Sequence, residues 1–202
     1  MRVVSGSERR VYKRSAIHQT HSSTIMKKFT ITQLKKQLSL KSKEELIKEI
    51  GTLCQTFPQV KEYYQAQGDD IQALLNKYKA IIEKEFIEGQ TRGLPKARFS
   101  VARKALNDFK KLTDNVELIA DISLTYVESV SSFNSQFGPD SEEFYTKPEN
   151  LFEEVLALIK QHNLLDKFKE RAYDIVANAC DGWGHQDSLR ERYEMVYGDL
   201  ES

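Results

Sequence analysis

Two cysteines in 202 residues are too few for a disulfide framework, and they point to a reduced setting. No run of about 18 apolar residues occurs, so no segment reads as a membrane-spanning helix. Nine glycines and four prolines are too few for a collagen-like or low-complexity chain. No G-x-S-x-G elbow, phosphate-cradling P-loop or dinucleotide fingerprint is present. The metal-ligand spacings H-x-x-x-H, E-x-x-H and C-x-x-C are absent as well. The chain therefore offers no sequence handle for nucleophilic catalysis, and no cofactor or metal is implied.

What is present is charge, 30 basic and 30 acidic side chains, divided unevenly. Residues 1–113 carry 23 basic and 11 acidic groups, net +12, and residues 114–202 carry 7 and 19, net −12. Such a split marks either a nucleic-acid face or two halves that neutralise each other internally. The first 25 residues are basic, rich in Ser, Thr and His, and lack both an apolar period and the apolar core of a secretory signal. They read as a disordered tail or an extension upstream of Met26, a transit peptide being the alternative. Residues 26–202 read as a single cytoplasmic helical domain.

Leu, Lys, Glu, Ala and Gln dominate after Thr30, and strand-like alternation is absent. Capping boxes at Thr30/Gln33 and Ser42/Glu45 open two helices. The second carries Leu46, Ile50, Leu53, Cys54 and Phe57 and stops at Pro58, with Cys54 expected to be buried. Further helices are expected over residues 71–87, 95–112 (with Pro95 in the first turn), 116–133, 148–161, 164–179 and 186–197. The apolar arc of 116–133 is wider than a surface helix needs, which makes it the central, most buried helix. The longest loop is expected at 138–147. The fold class is all-α: an irregular multi-helix bundle with no sheet.

The runs Leu34-Lys35-Lys36-Gln37-Leu38, Ser42-Lys43-Glu44-Glu45-Leu46-Ile47 and Phe57-Pro58-Gln59-Val60-Lys61-Glu62-Tyr63 resemble the opening of an uncharacterised bacterial family, domain of unknown function 6155. Lys96–Ala105, His162–Arg171 and Gly182-Trp183-Gly184-His185 extend the resemblance to residues 26–197. It implies a compact helical protein and no particular activity.

Two groups of residues are candidate sites. Arg92, Lys96 and Arg98 cluster before a helix N-terminus, where free N–H groups favour an anion. Arg103 continues their flank at a spacing of seven, followed by Lys110. Arg98 falls among apolar positions and needs a carboxylate or a bound anion. The competing explanation is an ion-pair network with Glu117, Asp121 and Glu128. The second group is Trp183, His185 and Asp187, around two glycines: either a metal or proton site, or a helix stop with Trp183 plugging the core. His162 and Asn163 fit a helix end.

These features favour a non-enzymatic interaction module with a protein partner. Nucleic-acid binding through Lys35, Lys36, Lys43, Arg92, Lys96, Arg103, Lys104 and Lys110 is the first alternative. A small-anion binder or enzyme using Arg98, Trp183 and His185 is the second.

Overall fold

A computed structural model describes residues 29–68, 70–87 and 94–199. The expectations for residues 1–25 and for Arg92 lie outside the described residues. The chain forms two compact units, Met1–Lys48 and Glu49–Ser202. Among the described residues all regular structure is helical: α1 (Ile31–Leu38), α2 (Lys43–Thr56), α3 (Pro58–Ala66), α4 (Ile71–Phe86), α5 (Phe99–Lys110), α6 (Val116–Phe137), α7 (Glu143–Gln161), α8 (Leu165–Ala177), a single 3-10 turn at Gly182–Gly184, and α9 (His185–Tyr197). None of the described helices is long and apolar enough to cross a membrane.

Both capping boxes form, Thr30 with Gln33 and Ser42 with Glu45. Cys54 is half-buried, not buried, and α2 buries no residue.

In the second unit α6 is the central helix, as its wide apolar arc predicts. Asn115 caps it by accepting from the N–H groups of Glu117 and Leu118. One stripe of α6 (Ile122, Tyr126, Val130, Phe133) joins a core with α4 and α5. Another (Ala120, Leu124, Val127) joins a core with α7, α8 and α9. Phe86, itself inaccessible, meets Phe99, Tyr126 and Phe133 at ring separations of 5.3, 6.2 and 6.0 Å. A helix that serves two cores has little surface left for polar side chains, and Ser123, Ser129 and Ser131 are buried. Ser123 and Ser129 donate to the carbonyls of Ile119 and Thr125, which satisfies hydroxyls that would otherwise be costly to bury.

Two helix starts differ from the sequence expectation. α5 begins at Phe99 rather than Pro95, because Ala97 takes a positive φ of 49° and the preceding strand of chain is tied to α4. The Ala97 N–H donates to the Glu85 carbonyl at 2.8 Å. α7 begins five residues before Pro148, which lies inside it. Proline removes the N–H that would bond the Phe144 carbonyl, and the Asn134 side-chain amide supplies a donor to that carbonyl at 2.7 Å. Half of the expected loop is therefore helix.

α6 ends at Gly138, whose φ is +52° with nothing within 4 Å of a Cβ. Gly138→Ala should cost about 1 kcal/mol, from backbone strain alone. Urea unfolding checks this, and an unchanged midpoint would contradict it. The left-handed Asn163 fits the expected helix end, with φ 57°.

Candidate functional site

The residues expected to form one anion site are separated. Arg98 is not on the apolar face of α5. It is the residue before the helix, and its side chain is half exposed. Its guanidinium donates to both oxygens of the buried Glu85 at 2.8 and 2.6 Å, and its backbone N–H donates at 3.3 Å. These hydrogen bonds hold the Glu85 carboxyl below the usual carboxylate range, against the opposing effect of burial. The helix start is thus already neutralised by a protein carboxylate. Lys96 is exposed on the extended segment, so it does not continue the Arg103–Lys110 flank.

The acids proposed as partners for Arg98 serve other cations. Glu117 pairs with Lys167, and Asp121 with Lys79 and Arg171. Glu128 takes Arg171 Nε and NH2 at 2.6 and 2.7 Å. Most of the ion pairs described join residues of the same half of the chain, such as Lys104 and Lys111 with Asp108, Lys77 with Glu62, and Arg192 with Glu153. Lys79–Asp121 crosses between the halves. The charge excesses are therefore not cancelled chiefly against each other in these pairs.

Arg103 and Lys110, two turns apart on α5, have no ion-pair partner among the described residues. They line a cleft of about 180 Å³ with Tyr126 of α6 and Lys147, Asn150 and Glu154 of α7. Three cations and the Glu154 carboxylate line it, a net charge of +1 once Glu143, the partner of Lys147, is included. Lys147 is held by Glu143 and lies 4.1 Å from the centre of the Phe99 ring. Burial pushes the Lys110 ammonium below the ordinary lysine range; Glu154 opposes this and Arg103 adds to it. Tyr126 is 4% exposed and lines the cleft, and its hydroxyl has no hydrogen-bond partner among the described residues. Burial pushes its pKa up to about 12, with Arg103 opposing and Glu143 reinforcing the rise. The phenol therefore stays a donor near neutral pH. Asn107 and Asn150 add amide groups at the rim.

The second candidate group also divides. Trp183 does not plug the core: it is 60% exposed. Its φ of 56° between two glycines turns it outward to stack on Tyr145, with ring centres 5.9 Å apart. Asp187 is exposed in the first turn of α9, where a negative charge complements the helix dipole.

His185 goes inward and is completely buried. Its Nδ1 lies 2.7 Å from Glu149 Oε1 and its Nε2 lies 3.0 Å from Ser131 Oγ. A carboxyl acceptor fixes the tautomer with the proton on Nδ1, so Nε2 accepts from the serine. Ser188 donates to the other Glu149 oxygen at 2.8 Å, and Arg192 donates to Ser188.

This hydroxyl–imidazole–carboxyl order is that of an activated serine. The surroundings give it a structural role instead. Ser131 sits inside α6, where its N–H belongs to the helical ladder and cannot stabilise an oxyanion, and the imidazole has no solvent access. The network joins α6, α7 and α9. Arg98 and His185 share no hydrogen-bond partner, and among the described residues no group of three or more His, Cys, Asp or Glu side chains could hold a metal ion.

Sequence reasoning found Arg103 and Lys110, whose spacing of seven keeps them on one helix face. It missed Tyr126 and Lys147 as cleft residues, and Glu149 and Ser131 as partners of His185. The last two lie 36 and 54 residues from the histidine, and no local pattern encodes such distances.

Residues 29–199 match the profile of a family of unknown function, DUF6155. The chain belongs to this family. The match spans both candidate sites and the whole helical bundle of this DUF6155 protein. No curated protein and no solved structure matches it.

Proposed function

We propose that this DUF6155 protein is a non-enzymatic binding module that captures a phosphate-bearing ligand in the α5–α6–α7 cleft. The observation that supports this reading is a cleft lined by Tyr126, Arg103 and Lys110, none of whose polar groups has a partner among the described residues. A phenol donor with no described protein partner, in a cleft also lined by Arg103 and Lys110, favours an anionic oxygen. The net positive charge of the cleft suits a phosphate anion. Arg103 supplies a planar donor fork suited to phosphate geometry, and the volume suits a small anion or one phosphate group of a larger ligand. A protein partner carrying the phosphate fits the expectation of an interaction module.

Nucleic acid is the less favoured source. Of its expected contacts, Lys104 is engaged by Asp108 and Lys96 stands apart from the cleft.

Competition binding with inorganic phosphate and a phosphate monoester tests the reading. Arg103→Ala should weaken both about ten- to a hundredfold, the range for charged hydrogen bonds. Tyr126→Phe should weaken them by less, while keeping the ring in the core. Affinity should fall as pH rises through the depressed Lys110 value, below the ordinary lysine range, because the anion binds the protonated amine. Equal affinity in Arg103→Ala would overturn the assignment. Steeply salt-dependent binding of long oligonucleotides, undisturbed by phosphate, would favour the nucleic-acid reading.

A further inference from the structure

A second site lies on the acidic side of the molecule and does not rest on the phosphate cleft. α8 and α9 enclose an open groove of about 740 Å³, lined by Tyr173, Tyr193 and Tyr197 with Asp166, Glu170 and Asp199. Lys169 is the one cation on its wall, so the lining carries a net charge of −2. None of these acids is engaged in an ion pair among the described residues.

The aromatic part is built rather than incidental. Tyr193 and Tyr197 stack at 4.7 Å with their planes 26° apart, and Tyr173 meets Tyr193 edge-on at 6.4 Å. The Tyr197 hydroxyl is fixed by the Leu165 carbonyl at 3.3 Å. Tyr193 is 2% exposed and lines the groove, and its hydroxyl has no hydrogen-bond partner among the described residues. Tyr173, by contrast, presents nearly half of its surface. Burial raises Tyr193 and pushes Tyr197 up to about 12, so near neutral pH both phenols are uncharged.

We propose that this groove binds a primary alkylammonium group. Ring faces attract a cation through their quadrupole, the three carboxylates supply the opposite charge, and the free Tyr193 oxygen accepts one ammonium N–H. A metal ion does not fit, because the acids do not converge into a set of metal ligands. The same chemistry is offered by a free amine and by a lysine side chain on a partner.

NMR titration of the full chain separates these sources. The probes are n-butylammonium, a short peptide with one lysine, the same peptide with that lysine Nε-acetylated, and tetramethylammonium. Saturable shifts of the Tyr173 and Tyr193 resonances with n-butylammonium alone support a free amine. The same shifts with the lysyl peptide support a lysine side chain. The acetylated peptide should not bind, and tetramethylammonium, with no N–H to donate, should bind more weakly. Tyr173→Ala should weaken binding about three- to thirtyfold, and Tyr193→Phe should reduce the preference for n-butylammonium over tetramethylammonium. No saturable shift with either amine, undiminished binding in Tyr173→Ala, or equal binding of the acetylated peptide overturns the proposal.

Discussion

Replacing His185 with alanine should destabilise the protein by about 3–5 kcal/mol, because the change strands a buried carboxyl and opens a cavity. Glu149 would lose its 2.7 Å partner and keep only Ser188, and Ser131 would lose its 3.0 Å partner. Ser131→Ala should cost only about 1–2 kcal/mol, since it leaves the His185–Glu149 pair intact. Asp187→Ala, two residues along the same helix and exposed, should stay within about 0.5 kcal/mol of the parent. Urea unfolding of the three variants gives the order directly. A near-neutral His185→Ala would mean that the network does not hold α6, α7 and α9 together. A large loss in Asp187→Ala would point back to a site in the exposed loop.

Arg171→Ala should cost about 2–4 kcal/mol, for the loss of several charge-assisted hydrogen bonds at once. Arg171 bonds Asp121, Thr125 and both oxygens of Glu128, all on α6. Its removal leaves Asp121 to Lys79 alone and leaves Glu128 without a described partner. Adding Glu128→Gln to Arg171→Ala should recover part of the loss, because the amide does not carry the stranded charge. A double-mutant cycle reads the coupling. If the two substitutions add without coupling, the α6–α8 ion pairs are surface decoration.

The helical class was legible because periodicity and capping are local. α1, α2 and α6 begin where Thr30, Ser42 and Asn115 place them, and the wide apolar arc of α6 announced a helix with two buried sides. The starts of α5 and α7 were misread for a tertiary reason. Glu85 and Asn134, from neighbouring helices, satisfy the backbone at Arg98 and at the Phe144 carbonyl, so Pro95 and Pro148 lose their usual value as start signals. Trp183 illustrates the same limit. A tryptophan between glycines reads as a core plug, yet the left-handed turn sends it outward and His185 inward.

Site residues fared according to spacing. Arg103 and Lys110 share one helix and are legible as a pair. That Tyr126 lines the same cleft, and that Lys147 joins it, depends on how three helices pack.

If the α5–α6–α7 cleft holds a phosphate, as proposed, the most direct measurement maps where phosphate goes. Inorganic phosphate would be titrated into the labelled full-length protein while the arginine Nε–H, lysine and tyrosine side-chain resonances are followed. The account predicts saturable shifts concentrated on Arg103, Lys110, Lys147 and Tyr126, weakened in Arg103→Ala. Shifts that never saturate, or that spread evenly over the exposed lysines, would contradict it.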